Sequence, residues 1–216
     1  HNPLKIALTD DDILNRSVKR GIRNVIKSYT GKYDIFSELI QNALDALEAK
    51  WFSLDDVSNY NPILDIRINL RKRTIEVSDN GIGMKKSELE YFMAPNISFK
   101  DNHEGSRGNK GVGATFLAYA FNHLEVASKN EQLGGGKFKE GRDWLDSPNI
   151  SELCYEKLES SINEFLSEQE SGTTIKVKID IGRPPDLTYI KANNAEQWLS
   201  ILKIKTPLGG VYLAGK

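Results

Sequence analysis

The stretch Phe36-Ser-Glu-Leu-Ile-Gln-Asn-Ala-Leu-Asp-Ala-Leu47 decides how the rest of the chain is read. Wound as an α-helix, it places Phe36, Leu39, Ile40, Ala43 and Leu47 on one side. Glu38, Asn42 and Asp45, at i, i+4 and i+7, form a narrow polar stripe on the other. Alone, this pattern describes any amphipathic surface helix with a solvated polar face. The surrounding sequence changes that reading.

Upstream, Ile13, Leu14, Val18, Ile22, Val25 and Ile26 recur at helical spacing, with Asp10 to Asp12 supplying acceptors at the helix start. Downstream, Trp51 to Pro62 reads as a polar connection. Ile63 to Asn69 alternates as a half-buried strand, Arg71-Lys-Arg73 turns the chain, and Thr74 to Ser78 returns as a second strand. That strand runs into Asp79-Asn-Gly-Ile-Gly-Met84. Two glycines two apart after a strand end bring a sharp turn and bare backbone that a ligand can approach closely. Asp79 there is either a turn former bonded to its own backbone or an acceptor aimed at a ligand donor.

Lys85 to Met93 reads as a short helix. Residues 94–110 form a long polar loop, and a loop of that length inside a compact domain is usually functional or disordered. His103 lies in it as an ordinary solvated side chain. Gly108-Asn-Lys-Gly-Val-Gly-Ala-Thr115 then opens a helix expected over Thr115 to Asn122. Glycines entering a helix N-terminus suit an anion, since bare N–H groups and the helix dipole both favour phosphate. The Walker pattern is absent, for no Gly-Lys-Ser/Thr tripeptide occurs. Leu124 to Ser128 reads as a strand, 129–148 as an insertion or irregular hairpin, and Ser151 to Ser167 as a helix carrying Cys154. Ser171 to Asp180 is a turn and alternating strand. Leu187 to Leu202 is expected as a helix packed on the domain edge.

The chain's 216 residues, 39% hydrophobic and 27% charged, fit one large globular domain, or one domain with an appendage, with a substantial core. A net charge of -1 gives no global pull toward nucleic acid or anionic membrane. No apolar run is long enough for a transmembrane helix, and no signal peptide is evident. The single cysteine excludes an internal disulfide and suits a reducing, cytoplasmic setting. Cys154 reads as a structural thiol rather than a nucleophile. The three histidines and one cysteine share no zinc-type spacing.

Four signals thus stand in one order: Glu38-x3-Asn42-x2-Asp45, Asp79-x-Gly81-x-Gly83, Gly108-x2-Gly111-x-Gly113, and Gly172-Thr173. This order resembles the ATP-binding domain of the GHKL superfamily over roughly residues 10–180. Its members include type II topoisomerases, the ninety-kilodalton heat-shock chaperone, sensor histidine kinases, mismatch-repair MutL proteins and MORC proteins. The wording of the first two motifs is closest to the chaperone, MutL and MORC branches. The resemblance implies a Bergerat-type two-layer α/β sandwich, with a mixed, mostly antiparallel sheet, helices on one face and a lid over ATP.

On that resemblance, Asn42 matches the Mg²⁺ ligand, an oxygen donor suited to a hard cation, and Asp45 lines the nucleotide site. Asp79 matches the acceptor of the adenine amino group, and Thr173 the threonine supporting that aspartate and its water. Gly81, Gly83 and Met84 would line the adenine pocket. Gly108, Gly111, Val112 and Gly113 would bring lid backbone onto the phosphates, with Lys110 as an extra cation and Lys100 as a candidate lid residue. Glu38 matches the glutamate that polarises the attacking water, one helical turn from Asn42.

The expected organisation is a helical arm, 1–30, that could serve homodimerisation; an ATP-binding domain, 31–185, with its lid at 94–110 and an insertion at 129–168; and a C-terminal helix and linker, 186–216. A start at His1 and an end just after Pro-Leu-Gly-Gly read as a piece of a longer protein. In several relatives a lysine or arginine of the following domain completes the site, so slow hydrolysis is expected. Nucleic acid stays open as a partner only through such a longer protein. Two alternatives remain: a non-hydrolysing nucleotide switch, and a histidine-kinase-like phosphotransfer domain. Neither His103 nor His123 sits in a phosphoacceptor context.

Overall fold

The computed structural model describes residues 11–92, 94, 112–148, 154–157 and 164–213. Helices α1 (Asp11–Ser28) and α2 (Asp34–Ser53) lead into strands β1 (Leu64–Asn69) and β2 (Thr74–Asp79). Helices α3 (Lys86–Phe92) and α4 (Val112–Tyr119) precede the hairpin β3 (His123–Lys129) and β4 (Leu133–Lys139). Then come α5 (Gly141–Asp146), β5 (Cys154–Lys157), α6 (Glu164–Ser167) and β6 (Gly172–Lys178). A 3₁₀ turn (Leu187–Ile190) and helices α7 (Ala195–Lys205) and α8 (Leu208–Leu213) close the described chain.

Six strands form one sheet in the order β1-β2-β6-β3-β4-β5. Every pairing among the described residues is antiparallel. The last strand in sequence therefore sits near the middle, between β2 and β3. Ile75, Val177, Leu124 and Phe138 stand in register on the inner face and are all buried. Strand alternation sends the next row outward. There Arg67, Glu76, Lys176, Glu125, Lys137 and Glu156 stand side by side on six strands, alternating in sign. Lys137 meets Glu125 at 2.7 Å, and Lys176 lies 3.7 Å from Glu76 and 3.9 Å from Glu125. Exposed pairs like these each add well under ~1 kcal/mol, but they favour this register over slipped ones. The sandwich is one-sided: helices cover one face, and charge lines the other.

On the inner face α2 buries Ile35, Phe36, Leu39, Ile40, Ala43, Leu44 and Leu47. It runs to Ser53, past the point where a polar connection was expected. Trp198 of α7 packs on Phe36 with ring centroids 5.4 Å apart, so the C-terminal helices share the same core. Helix α1 is tied down by its cations. Lys19 Nζ donates to the carbonyls of Trp144 at 2.6 Å and Ser147 at 3.1 Å, and Arg23 donates to that of Leu145. These are the acceptors at the C-terminal end of α5, where unpaired carbonyls attract positive charge. Among the described residues, no helix is long and apolar enough to cross a membrane.

Four expectations are corrected. Of the helix expected over 151–167, Cys154–Lys157 is strand β5, and only Glu164–Ser167 is helical; the remainder lies outside the described residues. The pull is tertiary: Cys154 to Lys157 pair with Lys139 to Gly136, and cross-strand pairing outweighs local helix propensity. The insertion or irregular hairpin expected over 129–148 is a regular hairpin with β3, its second strand β4 holding Gly134 to Gly136, followed by helix α5. A side chain at Gly136 would overlap the Tyr155 ring, so the glycine makes room for β5. Finally, α4 begins at Val112 rather than Thr115, and the region expected as one helix over 187–202 is the 3₁₀ turn followed by α7.

Gly83 has φ +70, and a Cβ there would overlap the Lys129 carbonyl oxygen. Both faults act together, since the left-handed conformation costs an L-residue about 1 kcal/mol or more. Gly83→Ala is expected to lower stability by roughly 2 kcal/mol, read as a clear fall in Tm by circular dichroism. An unchanged Tm would show that the turn relaxes freely.

Candidate functional site

The polar stripe on α2 is not a solvated face. Glu38, Asn42 and Asp45 are all half-buried, although they lie opposite the core-facing residues. At 1.5 Å per residue, their seven-residue span covers about 10 Å along the helix. Each end of the stripe meets a different part of the fold.

At the Glu38 end, the Tyr29 hydroxyl donates to Glu38 Oε1 at 2.8 Å. The Tyr29 ring stacks on Phe116 of α4, with centroids 3.9 Å apart and planes 12° from parallel. Burial, followed by this bond to Glu38, pushes the Tyr29 hydroxyl well above its usual pKa. It therefore remains a donor throughout the working pH range. Gly113, in the first turn of α4, lies against the same carboxylate, and a Cβ there would overlap Glu38 Oε2. Asp45 accepts from Gln41 Nε2 at 2.6 Å.

Toward its C-terminal end, α2 receives the loop after β2. The Ile82 N–H donates to the Ala46 carbonyl at 3.0 Å. A Cβ on Gly81 would stand 2.5 Å from the Ala46 carbonyl carbon, so only glycine allows this approach. Asp79, at the end of β2, is 3% exposed. Burial pushes its carboxyl up to about 7, against the backbone N–H groups of Gly81 and Thr173 and the charge of Lys50, which pull it down. The Gly81 N–H donates to Asp79 Oδ1 at 2.9 Å. The turn-forming reading of Asp79 is thus seen directly, its carboxylate accepting from the backbone two residues on.

The corner around Asp79 is held by side chains that the sequence did not single out. Ser128 Oγ accepts from the Met84 N–H at 2.8 Å, lies 3.0 Å from the Gly172 carbonyl as donor, and meets Thr173 Oγ1 at 2.8 Å. A hydroxyl has one proton, so Ser128 gives its proton to Gly172 and receives that of Thr173. Thr173 thus faces Asp79 through its backbone N–H, while its hydroxyl serves Ser128. Lys50 Nζ donates to Ser171 Oγ at 2.9 Å, and Ser171 Oγ donates to the Gly81 carbonyl at 2.6 Å. Asn80 fastens the incoming connection through Ile63 N–H at 2.7 Å and the Asn61 carbonyl at 2.9 Å.

The structure therefore brings Asp79, Gly81, Gly83, Met84 and Thr173 into one corner and Glu38, Val112 and Gly113 into another. Asn42 and Asp45 lie between them along α2. Lys100, Gly108, Lys110 and Gly111 lie outside the described residues. Among the described residues no group of three or more His, Cys, Asp or Glu could cage a metal. The donors along the stripe are carboxylate and carboxamide oxygens. They suit an ion such as Mg²⁺ that keeps waters and shares its shell with phosphate.

The one-sided α/β sandwich, the buried carboxylate among close-packed glycines and the oxygen-bearing stripe running from it agree with the arrangement that the sequence resemblance implies. The chain belongs to the histidine kinase-, DNA gyrase B- and HSP90-like ATPase family, whose model matches residues 33–173. It is 29% identical over 167 residues to the chaperone protein HtpG of Campylobacter jejuni (strain RM1221), covering 69% of this chain and 27% of that protein. It is 32% identical over 225 residues to HtpG of Halalkalibacterium halodurans, covering 87% of this chain and 35% of that protein. HtpG of Helicobacter pylori (strain HPAG1) is 28% identical over 178 residues, covering 70% and 27% respectively. The chain thus spans about a third or less of the length of these relatives.

Proposed function

We propose that this chain binds Mg-ATP along the polar face of α2 and hydrolyses it slowly. The observation that carries the reading is the half-buried stripe Glu38-Asn42-Asp45, joining the Gly113 turn to the buried Asp79. Asp79 accepts from the adenine amino group. Gly81, Gly83 and Met84 line the base, and the Thr173 backbone steadies the carboxylate. Asn42 offers its carboxamide oxygen to Mg²⁺, which when bound neutralises charge on the phosphate oxygens. Lys100, Gly108, Lys110, Gly111 and Val112 close over the phosphates from the lid side. Glu38 orients the attacking water. Phosphoryl transfer rests on positioning more than on proton abstraction, so a carboxylate with a fixed direction is what the site needs.

Lid closure would gate homodimerisation in a larger protein, with residues 1–30 as the exchanging arm. Ile13 and Leu14 support this, being 43% and 39% exposed on α1. The relatives' name makes a chaperone the context we favour, and the single cysteine suits a reducing, cytoplasmic setting. Where the resemblance calls for a basic residue from a following domain, turnover by these residues tested alone is expected to be slow.

Calorimetric titration with Mg-ATP and phosphate release on the same preparation test the reading. Saturable binding with slow release is the expected result. Binding without release would recast the chain as a nucleotide switch, and the absence of binding would overturn the proposal.

A further inference from the structure

We propose that Tyr29 is a positioning residue for ATP hydrolysis, its hydroxyl setting the direction of the Glu38 carboxylate; this rests on the ATPase reading above. Glutamate is flexible, and a half-buried carboxylate with no fixed contacts would lose orientation among its rotamers. Here each oxygen has a close neighbour. Oε1 accepts from Tyr29 at 2.8 Å, and Oε2 lies against Gly113. Gly113 has no side chain to grip with, so of these two contacts Tyr29 is the directional one. The Tyr29 ring is itself fixed by the 3.9 Å stack on Phe116, which is 7% exposed. Partners of this kind, which orient the reacting group without touching substrate, commonly contribute ten- to a hundredfold.

The position of Tyr29 gives the contact a second consequence. It lies in the short connection between α1 and α2, while Phe116 and Gly113 belong to α4, directly after the glycine-rich stretch. The end of the N-terminal arm, the water-orienting carboxylate and the helix after the lid therefore meet through one side chain. A shift of α1 or α4 would move Tyr29 and change the direction of Glu38.

The test compares the parent with Tyr29→Phe, Glu38→Ala and the double variant, reading kcat, KM, the calorimetric Kd for Mg-ATP, and Tm. Phenylalanine keeps the stack on Phe116 and removes only the hydroxyl. The expected result is kcat about tenfold lower for Tyr29→Phe, with Kd and Tm close to the parent. In the Glu38→Ala background the same change should lower kcat no further, since Tyr29 acts through Glu38. Glu38-dependent turnover that Tyr29→Phe leaves intact would overturn this proposal alone. An equal loss with and without Glu38, or a loss confined to Kd, would also overturn it. Absence of turnover in the parent would overturn the ATPase reading and the proposal with it.

Discussion

Replacing Glu38 by alanine is expected to cut ATP turnover on the order of 100-fold or more while leaving Mg-ATP affinity nearly unchanged. The two effects separate because the two ends of the stripe do different work. Glu38 lies a helical turn from Asn42 and about two turns from Asp45, while Asp79 is fastened beyond them through Gly81 and Thr173. On the proposed reading, binding energy gathered at Asp79 and along the stripe would survive the truncation, whereas the direction of the water would not. Stability should change little. Alanine improves helix propensity, and the half-buried Tyr29 hydroxyl loses an acceptor at a cost of about 1 kcal/mol. Gly113→Ala gives an independent check, since its methyl would overlap Glu38 Oε2 and turn the carboxylate without removing it. It should lower kcat in the same direction. Steady-state phosphate release beside calorimetric binding decides the matter. Equal rates for parent and Glu38→Ala would remove Glu38 from the chemistry.

The two ends of the site were not equally legible in the sequence. The core face of α2 was, because a 3.6-residue period written in Phe36, Leu39, Ile40, Ala43 and Leu47 has few other readings. Asp79 and its glycines were legible as a turn that lies bare. Their burial was not, since it depends on β6 arriving from almost a hundred residues away to pair Thr173 with Asp79. Ser128, Ser171 and Lys50 carry no motif. Each acts through a partner 44 to 121 residues distant. Tyr29 carries no motif either, and nothing local announces that its hydroxyl reaches Glu38. The misread segments share one cause. The Gly134 to Gly136 run and the Cys154 segment were judged by local propensity, whereas their conformation follows from strand pairing, the glycines with β3 and Cys154 to Lys157 with Lys139 to Gly136.

Asp79→Asn is expected to weaken Mg-ATP binding on the order of 100-fold while making the free protein more stable at pH 8. The opposite signs follow from one fact, the burial of a carboxylate that is 3% exposed. Burial pushes its pKa up to about 7, from roughly 3.9 in an unfolded chain. The native state therefore holds its proton more tightly than the unfolded state does. The stability this gives is complete below pH ~4, is lost as the pH rises to about 7, and stays lost above. The rise between those two values corresponds to about 4 kcal/mol as an order of magnitude. Asparagine cannot ionise, so the Tm difference between variant and parent should widen from pH 4 to 7 and then level off. Carboxylates such as Asp56, which hydrogen bonds from Ser58 hold below the usual range, bend both curves alike and cancel in that difference. For the ligand the change is adverse. Asparagine can still accept from the Gly81 N–H, but its amide donors replace acceptor capacity where an adenine amino group needs it. The lost charge-assisted bond and the unmatched donor together account for roughly 3 kcal/mol. A variant that gains stability yet fails to bind ATP places Asp79 at the nucleotide, because a residue held there only for the fold would lose nothing by being stabilised. Undiminished ATP affinity in Asp79→Asn would end that assignment.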